Sequence, residues 1–398
     1  MKKFKLYFLV VSMFSVLGMY ALADSGHSEE NTVEQTASSE AEVQEEKAYN
    51  PTEDIMHHVA DANDWHLFGN VSLMPLPIIV YDKVKGLSIF SSSKFHHGTE
   101  AYNGYVLVHG RVEKVLNESL PKEGSVVLDE SHDHHATHIT YKGEVLETEG
   151  RFTFLETENS FYDFSVTKNV ATMLIAALIM IIIFFLVKKA YVKNEGKAPS
   201  GLQSFMEPLI LFVKEEVADP NLDEERTERF LPYLLTVFFF IWILNMLGLM
   251  PFIGGPNASG NIALTAALTL ITFVLIHVFA NFDYWKHIFW MPGVPVVMKI
   301  FLAPIELMGV FTKPFALLIR LFANITAGHI LVLSLISLIF VFGNAGESMA
   351  GSVVGTALAV PFALFIGLIE LLVAALQAFI FAMLSAVFIG MATEKHHH

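Results

Sequence analysis

The sequence predicts a mainly α, polytopic membrane protein. It should have about five membrane-crossing helices, the last two long and strongly tilted, with one amphipathic interfacial helix and a small β-rich exterior module near the N-terminus. Three observations carry this reading. Hydrophobic residues make up 53% of the 398 and charged residues only 16%, against about 25% charged in a soluble domain. Five apolar runs beyond residue 165 are long enough to cross a bilayer. Lysines fall only in alternate connections between them, which puts the lysines on one side.

Residues 1–23 open with Lys2, Lys3 and Lys5, continue apolar from Leu6 to Leu17 and end at Ala21-Leu22-Ala23. That is the pattern of a secretory signal peptide, and it puts the following residues outside the cytoplasm. Residues 24–64 hold twelve acids against one base, Lys47, so much of the formal net charge of −15 is local to them. Self-repulsion and low hydrophobicity there argue for a largely disordered acidic segment. The acidity argues against nucleic acid as a partner. The chain has no cysteine, which excludes disulfides, thiol catalysis and cysteine metal sites.

Residues 65–160 alternate in hydrophobicity. Tyr105-Val-Leu-Val and Ile139-Thr-Tyr-Lys-Gly-Glu-Val-Leu read as strands, with Lys142-Gly143 as a hairpin tip. Within this region Asp129, His132, Asp133, His134, His135 and His138 are all zinc or copper donor types, but the cluster reads first as a solvated histidine loop, so no metal site is assigned.

The membrane region covers 161–392, and 393–398 form a short tail. Val170 to Val187 is the first apolar run, and Lys188, Lys189, Lys193 and Lys197 behind it mark the cytoplasmic side. Leu202, Phe205, Met206, Leu209, Ile210, Val213 and Val217 recur at three- and four-residue steps, with Gln203, Glu207, Lys214 and Glu215 between them. That stripe suits an amphipathic helix on the membrane surface or against a partner. Apolar segments follow near 230–250, 262–281, 304–342 and 358–392. The connection 251–261 has no Lys or Arg, 282–303 has Lys286 and Lys299, and 343–357 again has none, which gives five crossings with the C-terminus inside. The last two segments exceed thirty residues, where about twenty suffice. Helices of that length tilt strongly, and two of them can follow the outside of a cylindrical partner.

The penultimate segment carries Arg320, the only arginine after Arg229. A guanidinium stays charged at any accessible pH. Near the bilayer centre it costs about 2.5–3.5 kcal/mol even on the mildest insertion scale, so such a charge usually handles ions. Glu306, Lys313 and Arg320 are seven apart, nearly two helical turns, and share a face; Asn324 and the small Ala327 continue it. His329 should point toward another helix. The last segment offers Glu370, Ala374 and Gln377 on one face. The short 343–357 turn makes the two helices antiparallel. With Arg320 level with Gln377, His329 falls within half a turn of Glu370. Gln377 can satisfy guanidinium donors without neutralising them, while His329 and Glu370 can both exchange protons. A fixed positive charge thus separates an exterior polar patch from Glu306 and Lys313 on the cytoplasmic side, although Lys313 also suits a side chain that snorkels to the interface.

Arg320-Leu-Phe-Ala-Asn324-Ile-Thr-Ala-Gly-His329 resembles the signature of subunit a of the rotary F-type ATP synthases. So does Glu370 followed after six residues by Gln377-Ala-Phe-Ile-Phe, and Asn245-Met-Leu-Gly-Leu-Met-Pro251 resembles that family's third-helix motif. The resemblance covers about residues 161–392. It implies a proton-translocating stator subunit with two half-channels that load and unload the carboxylates of a c-subunit ring, coupling rotation to ATP synthesis. Arg320 would face the ring, Gln377 would brace it, and His329, Glu370 and Asn245 would line the exterior path. Many bacterial members place glutamate at the His329 position and histidine at the Glu370 position; the exchanged order here also occurs in mitochondrial members. Gly248 stands where some members have aspartate, which puts part of the exterior channel in doubt. The implied partners are the c-subunit ring, subunit b of the peripheral stalk, the remainder of the ATP synthase and membrane lipid, in a bacterial-type inner (plasma) membrane. No cofactor is implied. No nucleotide-binding loop occurs in the sequence, so the chain should not be an enzyme by itself. The alternative is a secondary transporter with Arg320 binding an anionic substrate; such folds usually carry internal repeats, and none is evident. A non-transporting anchor for the exterior module would need no polar stripe.

Overall fold

The computed structural model describes residue 55 and residues 59–394, apart from 69–70, 73, 118, 130–138, 151–160, 251–255, 292 and 345–347. The signal-like segment, most of the acidic segment, the histidines at 132–138 and the terminal His396–His398 lie outside the described residues.

The N-terminal module is built from short antiparallel strands. A small pair, β1 (His66–Phe68) and β2 (Val71–Ser72), precedes β3 (Pro77–Asp82) and β4 (Gly86–Ser91). After a 3-10 turn at Ser92–Gly98 come β5 (Glu100–Tyr102), β6 (Tyr105–Val108), β7 (Arg111–Val115) and β8 (Ser125–Val127). The last four are β9 (Ile139–Tyr141), β10 (Glu144–Leu146), β11 (Thr148–Glu149) and β12 (Phe161–Asp163). They form a five-stranded sheet of order β11-β7-β6-β5-β8, a three-stranded sheet β12-β3-β4 and the β9-β10 hairpin. Lys142 (φ 51°) and Gly143 (φ 75°) turn that hairpin at the expected tip; both sit in the left-handed region that two-residue hairpin loops require. Alternation decides the inward set: Ile78 and Val80 of β3, with Phe95, Tyr105, Val112 and Phe161, are almost wholly buried.

Asp82 locks this core to its edge. Its carboxylate is buried and accepts from Lys114 Nζ at 2.6 Å and from the backbone N–H groups of Val84 and Lys85 at 2.7 and 3.1 Å. Burial alone would raise its pKa, but the Lys114 and turn hydrogen bonds outweigh burial and hold it below the usual 3.8. The module is tied to the first membrane helix by backbone bonds. Lys168 N–H donates to Ala62 O at 2.8 Å, and Asn169 N–H to Asp61 Oδ1 at 3.2 Å. Trp65, Leu76 and Ala171 pack together beneath the junction.

Five helices are long and apolar enough to span a membrane: α1 (Lys168–Lys193), α3 (Glu224–Gly248), α4 (Ile262–Val278), α6 (Val296–Phe342) and α7 (Met349–Thr393). Between them lie α2 (Leu202–Phe212) and a short α5 (Phe282–Phe289). Thr167 caps α1 and Asp223 caps α3 through side-chain oxygens. At 1.5 Å per residue the 47 and 45 residues of α6 and α7 run roughly 70 Å each, over twice the hydrocarbon thickness of about 30 Å.

Three details depart from the sequence reading. The amphipathic segment does not continue as one helix to residue 217. It loosens into a π turn at Val213–Ala218, where Val213, Val217 and Ala218 are driven fully into the main core. Gln203, on the polar side of the stripe, is buried because it accepts from Asn194 Nδ2 at 2.8 Å and donates to Glu207 at 3.4 Å, whereas Phe205 of the apolar stripe is exposed. The stretch read as a plain connection at 282–303 contains α5, whose aromatic residues pack against His277.

Candidate functional site

The site lies along the antiparallel pair α6 and α7. Their turn closes tightly: Gly343 lies against Ser352, and a Cβ on Gly355 would stand 3.0 Å from Ile339. Further along, Gly328 faces Glu370, and Lys313 Nζ sits 5.8 Å from the centre of the Phe388 ring. These contacts run antiparallel along both helices.

The two sides of α6 differ sharply. Leu317, Leu321 and Ile325, four residues apart, are buried. Lys313, Arg320, Asn324, Ala327 and Leu331 are exposed on another side. Only 6% of the most apolar window of α6 is buried, against 44% for α7. Arg320 makes no hydrogen bond or ion pair among the described residues, and none joins it to Gln377, which is buried on α7. A permanent cation therefore stands on the bare apolar face of a spanning helix.

Toward the 343–348 turn, a Cβ on Gly328 would approach Glu370 Oε1 to 3.0 Å. Glu370 thus lies beside the residue preceding His329, and it is 6% exposed while His329 is half-buried. Asn245 near the end of α3 is buried, and its Nδ2 donates to Ala374 O at 3.1 Å, between Glu370 and Gln377 in sequence. At the other end, Glu306 is half-buried. Burial first, and then the Glu306 charge, push the Tyr284 hydroxyl above its usual range, so Glu306 lies near α5. No ion pair joins Glu306 to Lys313 among the described residues; seven residues are about 10 Å along a helix, beyond salt-bridge reach. Sequence reading missed three contributors: Tyr284, Gly328, which admits the Glu370 side chain, and Thr326, whose Oγ1 donates to Gly260 O at 3.4 Å. A glycine one residue before a polar candidate was the only available signal.

The family described as ATP synthase A chain matches residues 170–390, over half of the protein, and so includes the whole site. The chain belongs to that family. It is 44% identical over 239 residues to ATP synthase subunit a 2 of Chlorobaculum tepidum, covering 58% of this chain and 64% of the relative. It is equally similar, at 44% over 243 residues, to ATP synthase subunit a of Chloroherpeton thalassium, covering 60% and 69%. A Myxococcus xanthus ATP synthase subunit a is 42% identical, covering 59% and 75%. The chain thus spans just under two thirds of the first of these relatives and more of the others. A second match, a domain of unknown function (DUF8433), covers residues 54–164, the β-rich N-terminal module. An ATP synthase A chain family member with five spanning helices is a multi-pass membrane protein, as its sequence leads one to expect.

Proposed function

We propose that this chain is the proton-translocating stator subunit a of an F-type ATP synthase, with a c-subunit ring against the bare side of α6. The exposed, unpartnered Arg320 is the observation that carries this reading. A charge in that position needs a counter-charge in the membrane, and a ring carboxylate supplies one. At a separation of 4 Å and an effective dielectric of 20 the attraction is about 4 kcal/mol, several times thermal energy, enough to bias rotation without holding the ring.

Protons enter from the exterior along Asn245, His329 and Glu370 and neutralise a ring carboxylate, which can then move into lipid. After nearly a full turn the carboxylate meets the cytoplasmic path beside Glu306 and Lys313 and releases its proton. Arg320, flanked by Asn324, keeps the two paths from exchanging protons directly, and Gln377, which makes no bond to it among the described residues, braces it once the ring is in place. The N-terminus lies outside, the C-terminus in the cytoplasm, and subunit b and the rest of the synthase complete the machine. ATP chemistry belongs to other subunits.

Arg320→Ala tests this. ATP-driven proton pumping into inverted vesicles should vanish while the variant still co-purifies with the ring and the ATPase; retained coupled pumping overturns the role. His329→Ala and Glu370→Ala should slow pumping without abolishing it. A secondary transporter of an anionic substrate would show no ring in the purified complex.

A further inference from the structure

The β-rich N-terminal module is a stack of three layers. Ile78, Val80 and Phe161 of the β12-β3-β4 sheet meet Tyr105, Leu107 and Val112 of the five-stranded sheet. On the other side of that sheet, Val106 and Val115 meet Ile139, Tyr141 and Leu146 of the β9-β10 hairpin. The outer face of the β12-β3-β4 sheet therefore points away from both buried layers. An antiparallel sheet with one face in water alternates apolar inside with polar outside. Here the outer positions are apolar as well. The register sets Ile79 beside Ile89, and Tyr81 between Leu87 and Tyr162. Phe164, two residues past Tyr162, shares its face and donates its backbone N–H to Ile79 O at 2.8 Å. Leu87 and Ile89 are 61% and 65% exposed, and Tyr81 and Phe164 are nearly half exposed.

The depth of this face follows from α1. Lys188 and Lys189 end the apolar run at Val187. The hydrocarbon takes about 20 residues, and that many counted back from Val187 reach Lys168, where α1 begins. Trp65 and Leu76 of the module pack against Ala171 and Ile175. At 1.5 Å per residue those two lie roughly 5 and 10 Å deeper than Lys168. The module is thus seated in the membrane boundary, not held above it. Leu76 leads straight into β3, and Val166 N–H, two residues before α1, donates to Pro77 O at 3.0 Å. The row of Ile79, Ile89 and Phe164 follows two residues along the strands, about 7 Å further. Beyond it Lys83, exposed in the β3-β4 turn, holds its Nζ 5.9 Å from the centre of the Tyr162 ring. Tyrosines and a snorkelling lysine beside bare aliphatic side chains suit the headgroup zone of a bilayer.

We propose that the outer face of the β12-β3-β4 sheet lies on the lipid leaflet at the N-terminal end of α1. Ile79, Tyr81, Leu87, Ile89 and Phe164 sit among headgroups and upper acyl chains, and Lys83 meets lipid phosphates. With the Trp65 and Leu76 seat on α1, this second attachment fixes the orientation of the module on the membrane. The proposal needs only that α1 spans the bilayer, and it is independent of the role of Arg320. The chain has no cysteine, so Leu87→Cys, Ile89→Cys and a control, Val145→Cys, each give it a single thiol for a bimane label. All three residues are more than half exposed, so the label displaces no core side chain. Val145 lies on the β9-β10 hairpin, at the opposite side of the stack. The labelled full-length chain, in its complex with the other subunits' cysteines replaced, is reconstituted in phospholipid vesicles with the module outward. Lipids carrying a nitroxide near the headgroup should quench Leu87→Cys and Ile89→Cys several-fold more than Val145→Cys, and aqueous iodide several-fold less. Equal iodide quenching at all three positions would overturn the proposal by leaving the face in water. Protection of Leu87→Cys and Ile89→Cys from both quenchers would also overturn it, because another protein or a second copy of the chain would then cover the face.

Discussion

Gly328→Ala should separate stability from transport. A methyl group there would stand 3.0 Å from Glu370 Oε1, 3.2 Å from its Cδ and 3.3 Å from its Cγ. Ordinary contact begins near 3.4 Å, so the carboxylate must retreat by about 0.4 Å. Misplacing a working group by about 1 Å can cost a hundredfold in rate; scaled logarithmically, 0.4 Å corresponds to roughly sixfold. The same change favours the helix by about 0.8–1 kcal/mol, because alanine loses less backbone freedom than glycine. Pumping should therefore fall about sixfold while the amount of chain and ring in the membrane stays level or rises. The assay is ATP-driven acidification of inverted vesicles, normalised to membrane content by immunoblot. Full pumping by both Gly328→Ala and the bulkier Gly328→Val would refute the reasoning, as would a loss of assembly that reduces pumping only in proportion.

Other consequences are as specific. Lys114→Met leaves the buried Asp82 carboxylate without its cation and should destabilise the β-rich N-terminal module by roughly 3 kcal/mol, the low end for a broken buried pair because Lys114 keeps a fifth of its side chain exposed; faster proteolysis of the module in membranes would report it. In the unaltered chain the Asp82 contribution is fully present above pH 3.8 and is lost as pH falls below that through its depressed folded value, so protease resistance should be flat at neutral pH and decline only in strong acid. Asn245→Leu removes the bond to Ala374 O and should cost about 1 kcal/mol in helix packing while slowing proton uptake, measured as gradient-driven ATP synthesis.

Much of the fold was legible because it follows from hydrophobic length and local pattern. Span number, the long paired helices and, in the β-rich module, the Lys142-Gly143 turn all come from these. That Glu370 lies beside the residue preceding His329 fits the antiparallel register expected from the short turn, although Gly328 itself was not singled out. What stayed hidden depends on tertiary company. The π turn at Val213–Ala218 arises because three residues are drawn into a core that local periodicity cannot see. Gln203 is buried because Asn194, nine residues earlier, happens to be its partner. Tyr284 joins Glu306 only once α5 folds against α6. Ser259 and Asn257 look like ordinary turn residues until the neighbouring helices enclose them.

The stator role turns on what occupies the membrane beside the exposed side of α6. A resolved map of the assembled membrane sector measures that directly. The guanidinium of Arg320 should lie within about 4 Å of a ring carboxylate, near enough for direct attraction, with the path along Asn245, His329 and Glu370 open to the exterior; Arg320 turned toward acyl chains or a small-molecule pocket, with no rotor beside it, would contradict it.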